Sequence, residues 1–172
     1  MKGRSIFITA VLLCMIGLVA CSSMSPAASS STTNGGNGGL SQSVDASGII
    51  KLNLNTASGD EFLAAIPGLG NRMVREFQEY KPYVSIQQFR QEIGKYVDDA
   101  QVTEYEKYVY VPININESDS ETLQQIPGLD ANAAQALIAD RPYASVEDFV
   151  SSLSQYISTD EMEIAKTYLG GD

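Results

Sequence analysis

The chain of 172 residues has no histidine and no tryptophan, and its two cysteines, Cys14 and Cys21, both fall within the first 21 residues. Everything that follows is therefore without a disulfide and without the imidazole and thiolate ligands that zinc prefers. The commonest nucleophile and base pairs of covalent catalysis are missing as well. Carboxylates remain, among them Asp98 with Asp99 and Glu104 with Glu106. Neighbouring acids on a polar helix read as a solvated face. These absences predict a protein that is not an enzyme and that uses no cofactor and no metal. Positive charge is scarce too: 11 Lys and Arg against 21 Asp and Glu give a net charge of −10.

The first stretch, "MKGRSIFITAVLLCMIGLVAC", runs from a basic start (Lys2, Arg4) through an apolar core to small residues before a cysteine, the form of an export signal. "LVAC" resembles the bacterial lipobox. That resemblance implies a lipoprotein signal peptide over residues 1–20, removed to leave Cys21 as the lipid-bearing first residue of an exported chain. The anchor would be in the outer face of the cell membrane or in the outer membrane. An uncleaved membrane anchor is the other reading, although Ile6 to Ala20 falls short of the ~20 apolar residues of a span. Residues 21–48 are rich in Ser and Gly and offer almost nothing to bury, so they read as a disordered tether. From Ser22 to Gly48 its random-coil span is about 30 Å.

From Ile49 onward the chain repeats itself. A shift of sixty places Pro67 on Pro127, Gly68 on Gly128, "KPYVS" on "RPYAS", Phe89 on Phe149 and Tyr96 on Tyr156. Upstream, "LNLNTAS" matches "ININES" once one residue is dropped. Fixed-period self-similarity marks a repeated supersecondary unit. The halves are residues 49–112 and 113–172, and their charge differs. Residues 51–112 hold seven basic and nine acidic residues, whereas residues 113–172 hold two basic (Arg141, Lys166) and eleven acidic.

Each half reads as all-α, with four short helices. "SGDE" (58–61) and "SDSE" (118–121) have the form of a capping box. Pro-Gly then turns the chain into a second helix, with Met73, Val74 and Phe77 on one face and Ala133, Ala134, Leu137 and Ile138 on its counterpart. Pro82 and Pro142 end these helices. A third helix starts at Ser85 or Ser145, with Ile86, Phe89, Ile93 and Tyr96 at core spacing. A fourth carries Val102, Tyr105 and Val109, matched by Met162, Ala165 and Leu169. "YVYVPININ" alternates and reads as extended, able to pair weakly with "IIKLNLN". The expected core is shared by the two halves and built on Phe62, Ile66, Phe77, Phe89, Tyr105 and their sixty-shifted counterparts.

The turn "IPGLG" (66–70) carries the chemistry. Glycine at 68 and 70 permits left-handed backbone and a close approach by a ligand. The turn opens directly into a helix, so the amides of Leu69, Gly70, Asn71 and Arg72 would point outward at a positive helix end, an anion site. Arg72 and Arg75 add charge on one side. Gly68, Leu69, Gly70, Asn71, Arg72 and Arg75 are thus the candidate phosphate-binding residues. The plainer reading is a tight interhelical turn. In the second half, "IPGLD", Asp130 would repel a phosphate while capping the next helix, and Asn132 and Gln135 replace the two arginines. That hairpin reads as kept for its shape.

"NLNTAS…EFLAAIPGLGNRMV" followed by "PYVSIQQF" resembles the helix-hairpin-helix domain of the competence protein ComEA and its relatives. These begin with Asn-Ile-Asn-Thr-Ala-Ser and carry Leu-Pro-Gly-Ile-Gly in the hairpin. The resemblance covers both halves and implies two tandem helix-hairpin-helix units that bind the DNA backbone without sequence preference at the cell surface, during uptake. Met73 stands where relatives often place lysine, and Val74 where they place alanine, which the second half keeps as Ala134. Downstream, Gly94 survives of the family's second glycine hairpin. The acidic second half also looks like the extrinsic U protein of photosystem II, a helix-hairpin-helix fold used for docking. That likeness implies the alternative, a protein-interaction module without nucleic acid, with its partner on the acidic second half.

Overall fold

The computed structural model describes residues 42–44 and 50–170, which belong to one unit, Gly38–Asp172. The export signal, Cys21 and most of the tether lie outside the described residues. Among the described residues eight helices dominate: α1 (Gly59–Ala65), α2 (Asn71–Glu79), α3 (Ile86–Ile93) and α4 (Asp99–Tyr105), then α5 (Ser120–Leu123), α6 (Ala131–Ala139), α7 (Val146–Leu153) and α8 (Thr159–Tyr168). Three short strands, β1 (Gln42–Val44), β2 (Ile50–Asn53) and β3 (Val109–Tyr110), form a small sheet in that order.

The extended segment pairs as its alternation predicts, Leu52 opposite Val109 in a parallel ladder. Strand β1 is a departure. It lies in the stretch read as tether yet pairs antiparallel with β2, Val44 opposite Ile50. Backbone pairing along an open sheet edge requires no apolar side chain, so composition alone concealed it.

The interior also departs from a single shared core. One buried cluster gathers Phe62, Ile66, Phe77, Phe89 and Tyr105; another gathers Ile126, Leu137, Phe149 and Ala165. The connecting segment serves both. Val109 and Val111 enter the first cluster and Tyr110 the second, as the two-residue period of extended chain requires. Ile113, two residues past Val111, enters the second cluster as well, so the alternation changes phase across Pro112. Val109 is accordingly in β3 and not on the fourth helix, while Leu169 caps α8 and bridges to Ile113. Tyr96 and Tyr156 leave the core: each follows the C-cap of its helix and stays exposed.

The dropped residue of the repeat falls inside a helix. Ser58 caps α1 in a full capping box with Glu61, but Asp119, not Ser118, caps α5 by accepting from the Thr122 amide. Ser118 is buried, and its hydroxyl accepts from the Asn114 amide. From cap to Ile66 or Ile126 the second half is one residue shorter, and α5 shrinks to four residues.

Two recurring clamps set the hairpins in place. Asn55 brackets the backbone of Tyr83, its amide nitrogen donating to the Tyr83 carbonyl (2.9 Å) and its Oδ1 accepting from the Tyr83 amide (2.7 Å). Asn116 does the same to Tyr143 at 3.0 and 2.8 Å. Both tyrosines follow cis prolines, Pro82 and Pro142. The cation before each proline turns inward. Lys81 donates to the Ala57 carbonyl, and Arg141 to those of Ile115 and Ser118.

Phe77 is the hub of the first cluster, edge-on to Phe62, Phe89 and Tyr105 with ring centroids 5.3–5.4 Å apart. Phe77→Ala should cost about 3–5 kcal/mol. Urea unfolding measures this directly, and a loss below about 1 kcal/mol would contradict the packing. In the second cluster burial pushes the Tyr110 phenol up to about 12. Its folded value lies above the ordinary ~10, so the stability it contributes is fully present below pH ~10 and is lost as the pH rises through about 12. Titration of the tyrosinate absorbance in wild type and Tyr110→Phe should differ by one group ionising near 12; a difference near 10 would place Tyr110 in solvent.

Candidate nucleic-acid interface

Helix α2 begins differently from the other described helices. Seven of the eight have a side chain that accepts a first-turn amide: Ser58, Ser85, Asp98, Asp119, Asp130, Ser145 and Ser158. At α2 the N-cap is Gly70, with no side-chain cap and no acidic residue in the first turn. The first intrahelical bond runs from the Val74 amide to the Gly70 carbonyl. The amides of Gly70, Asn71, Arg72 and Met73 thus precede the helical ladder at the positive end of the helix.

Four of the predicted residues, Gly70, Asn71, Arg72 and Arg75, come together at this end of α2, and all are exposed. Gly68 sits in the turn at φ +73°, and neither at Gly68 nor at Gly70 would an added Cβ meet an atom within 4 Å. Two expectations are corrected. Gly70 is extended at φ −99°, a conformation open to any residue, so Gly68 alone needs left-handed freedom. The Leu69 amide is not outward: it closes the turn on the Ile66 carbonyl at 3.2 Å, and its side chain is buried. The amide that sequence reasoning missed is that of Met73. The signal was in the second half, where the matching Ala133 amide is taken by Asp130 Oδ1 at 2.8 Å.

The charge around this end is light. Arg72 and Arg75 enter no ion pair among the described residues, whereas Arg90, Lys95, Lys107 and Lys166 each hold a carboxylate. Lys81, its ammonium pushed down by desolvation, is spent on Ala57. Glu76 and Glu79 follow one turn after the arginines. Glu76 is engaged by the Tyr96 hydroxyl, and hydrogen bonding to Tyr80 and then to Glu76 holds that phenol above its ordinary value.

The second hairpin closes on itself. Asp130 occupies its amides from within, and the Cβ missing at Gly128 (φ +79°) would strike the carboxylate of Glu161. That carboxylate closes the capping box of α8. There is no room for an anion where a carboxylate already stands.

Among the described residues no group of three or more His, Cys, Asp and Glu side chains is placed to hold a metal ion, and no helix is long and apolar enough to cross a membrane. No protein-family model, curated protein or solved structure matches the chain.

The two turns give a paired stability test. Gly68→Ala suffers only the left-handed backbone, about 1–2 kcal/mol. Gly128→Ala suffers the same and must also displace Glu161 from its cap, so it should melt at a distinctly lower temperature than Gly68→Ala. Equal melting temperatures would show that the second turn has slack.

Proposed function

We propose that the chain is built of two tandem helix-hairpin-helix units and that the first grips the phosphate backbone of DNA without sequence preference, from a membrane anchored through lipid on Cys21. The observation that carries this reading is the uncapped start of α2. An open row of amides at a positive helix end, flanked by Arg72 and Arg75, favours a phosphate oxygen. Backbone donors carry no base information, so contacts of this kind position a duplex without reading it. The second hairpin, with its internal carboxylate, serves as scaffold.

The net charge of −10 opposes a polyanion. Two arginines and one helix end can neutralise few phosphates, so binding is weak and strongly salt-dependent. A second reading has its own support. Every helix of the acidic half is capped by its own side chains, leaving a surface suited to a basic protein partner.

Fluorescence titration of the full chain with duplex DNA at low and moderate salt separates the two readings. Binding should weaken with salt by about 0.9 log units per log unit for each phosphate contact. Arg72→Ala with Arg75→Ala should weaken all sequences alike and flatten that slope. Gly70→Asp copies the second hairpin at a position whose backbone accepts aspartate. It should abolish binding while leaving the melting temperature unchanged or slightly raised, since aspartate is the better N-cap. Asp130→Gly alone should restore little, because Asn132 and Gln135 bring no charge. Absence of salt-sensitive binding at low ionic strength would reject the DNA reading in favour of docking through the acidic half.

A further inference from the structure

The seam inside the chain is a template for one outside it. Helix α5 of the second half docks on α3 in the first, beside Glu106, the C-cap of α4. The Ile86 amide donates to the Thr122 hydroxyl (3.0 Å) in a buried contact, and Arg90 holds both Glu106 (2.6 Å) and Glu121 (2.5 Å). This socket is polar. Ile86, Arg90 and Glu106 meet Glu121, Gln124 and Gln125 around one cleft.

Counted from the N-caps of the matching helices, Ile86, Arg90 and Glu106 correspond to Val146, Val150 and Lys166. These three line a groove of about 520 Å³ together with Met162. The lining residues come from α7, its C-cap Ser154 and α8; β1 lies against α8, and no residue of another described helix lines the groove as α5 does in the first half. The same counting from Ser58 and Asp119 matches Glu121, Gln124 and Gln125 to Asp60, Leu63 and Ala64 on α1. Asp60 and Ala64 are exposed, and Leu63 is 37% exposed, a large apolar side chain in water.

The halves have therefore diverged in a matched way. A polar face and a polar plug meet within the chain, while an apolar face on α7 and α8 and an apolar plug on α1 are left over at opposite positions of the repeat. We propose that the second covers the first in a neighbouring copy: α1 of one chain seats in the α7–α8 groove of the next, Leu63 against Val146, Val150 and Met162, and Asp60 facing Lys166. Lys166 is held in the single chain by an exposed pair with Glu163, three residues away, at 2.7 Å. Such pairs are weak and exchange readily for a partner that covers the groove. The contact is heterologous, each copy offering one of each surface, so association extends head to tail and does not stop at a symmetric dimer.

Sedimentation velocity of the full chain over a concentration series tests this. The wild-type sedimentation coefficient should rise with concentration. Leu63→Glu spoils the plug and keeps the groove, and Ser151→Glu puts charge at the groove and keeps the plug. Both positions are exposed, and unchanged melting temperatures verify the folds. Each variant alone should remain monomeric, yet an equimolar mixture should form a one-to-one dimer that grows no further, since one sound plug and one sound groove remain between them. The proposal is overturned if wild type stays monomeric throughout, if either variant alone associates as wild type does, or if the mixture stays monomeric while wild type associates.

Discussion

Residues 109–113 carry the constraint on which the architecture depends, because they must supply two cores at once. An extended chain sends successive side chains to opposite sides, and over residues 109–111 each side is the interior of a different half, Val109 and Val111 to one and Tyr110 to the other; across Pro112 the phase changes and Ile113 joins Tyr110. Neither half could slide along this segment by one residue without exchanging its apolar contacts for the other's. The parallel ladder at Leu52 and Val109 and the single parallel bridge from Ile113 to Leu169 fix the register at both ends. The docking of α5 on α3 follows from that fixed link, with the buried bond from Ile86 to Thr122 as its inner anchor.

Within each half the hairpin is held by polar groups working on backbone, not by surface ion pairs. Asn55 and Asn116 satisfy both backbone groups of the tyrosine after a cis proline, and Lys81 and Arg141 fill carbonyls at the entrance to α1 and α5. Paired in this way, buried polar groups avoid the desolvation penalty that an unpaired partner would incur. The arrangement also decides which cations are left for a ligand. Lys81 and Arg141 are used structurally, and four others hold carboxylates. Arg72 and Arg75 stand at the uncapped helix end with no ion pair among the described residues.

The contrast between the two hairpins reduces to one side chain. Gly70 and Asp130 occupy the same N-cap position in the same extended conformation, at φ −99° and −85°. One leaves the first-turn amides to solvent or a ligand; the other supplies its own anion. The same divergence recurs on the outer faces, where Arg90 against Val150 and Leu63 against Gln124 separate a contact made within the chain from one offered beyond it.

Much of this was fixed by local chemistry and was legible in the order of residues. The serine caps of α1, α3 and α7, the positive φ at Gly68 and Gly128, the capping role of Asp130, the apolar faces of α2 and α6, and the mostly helical content depend on neighbours within a turn or two. What only tertiary structure decided involves partners far apart in the chain. The asparagines of "NLN" and "NIN" look like loop residues until Tyr83 and Tyr143, 28 and 27 residues on, arrive at their amides. The cations before the prolines look solvent-facing until the carbonyls of Ala57 and Ser118 receive them. The shift of the cap from Ser118 to Asp119 came from where the one-residue deletion falls, inside the first helix and not upstream of it, and the division of one apparent core into two came from a link whose residues face different halves. The strand at Gln42–Val44 is the extreme case, since its pairing partner is the edge that β2 presents.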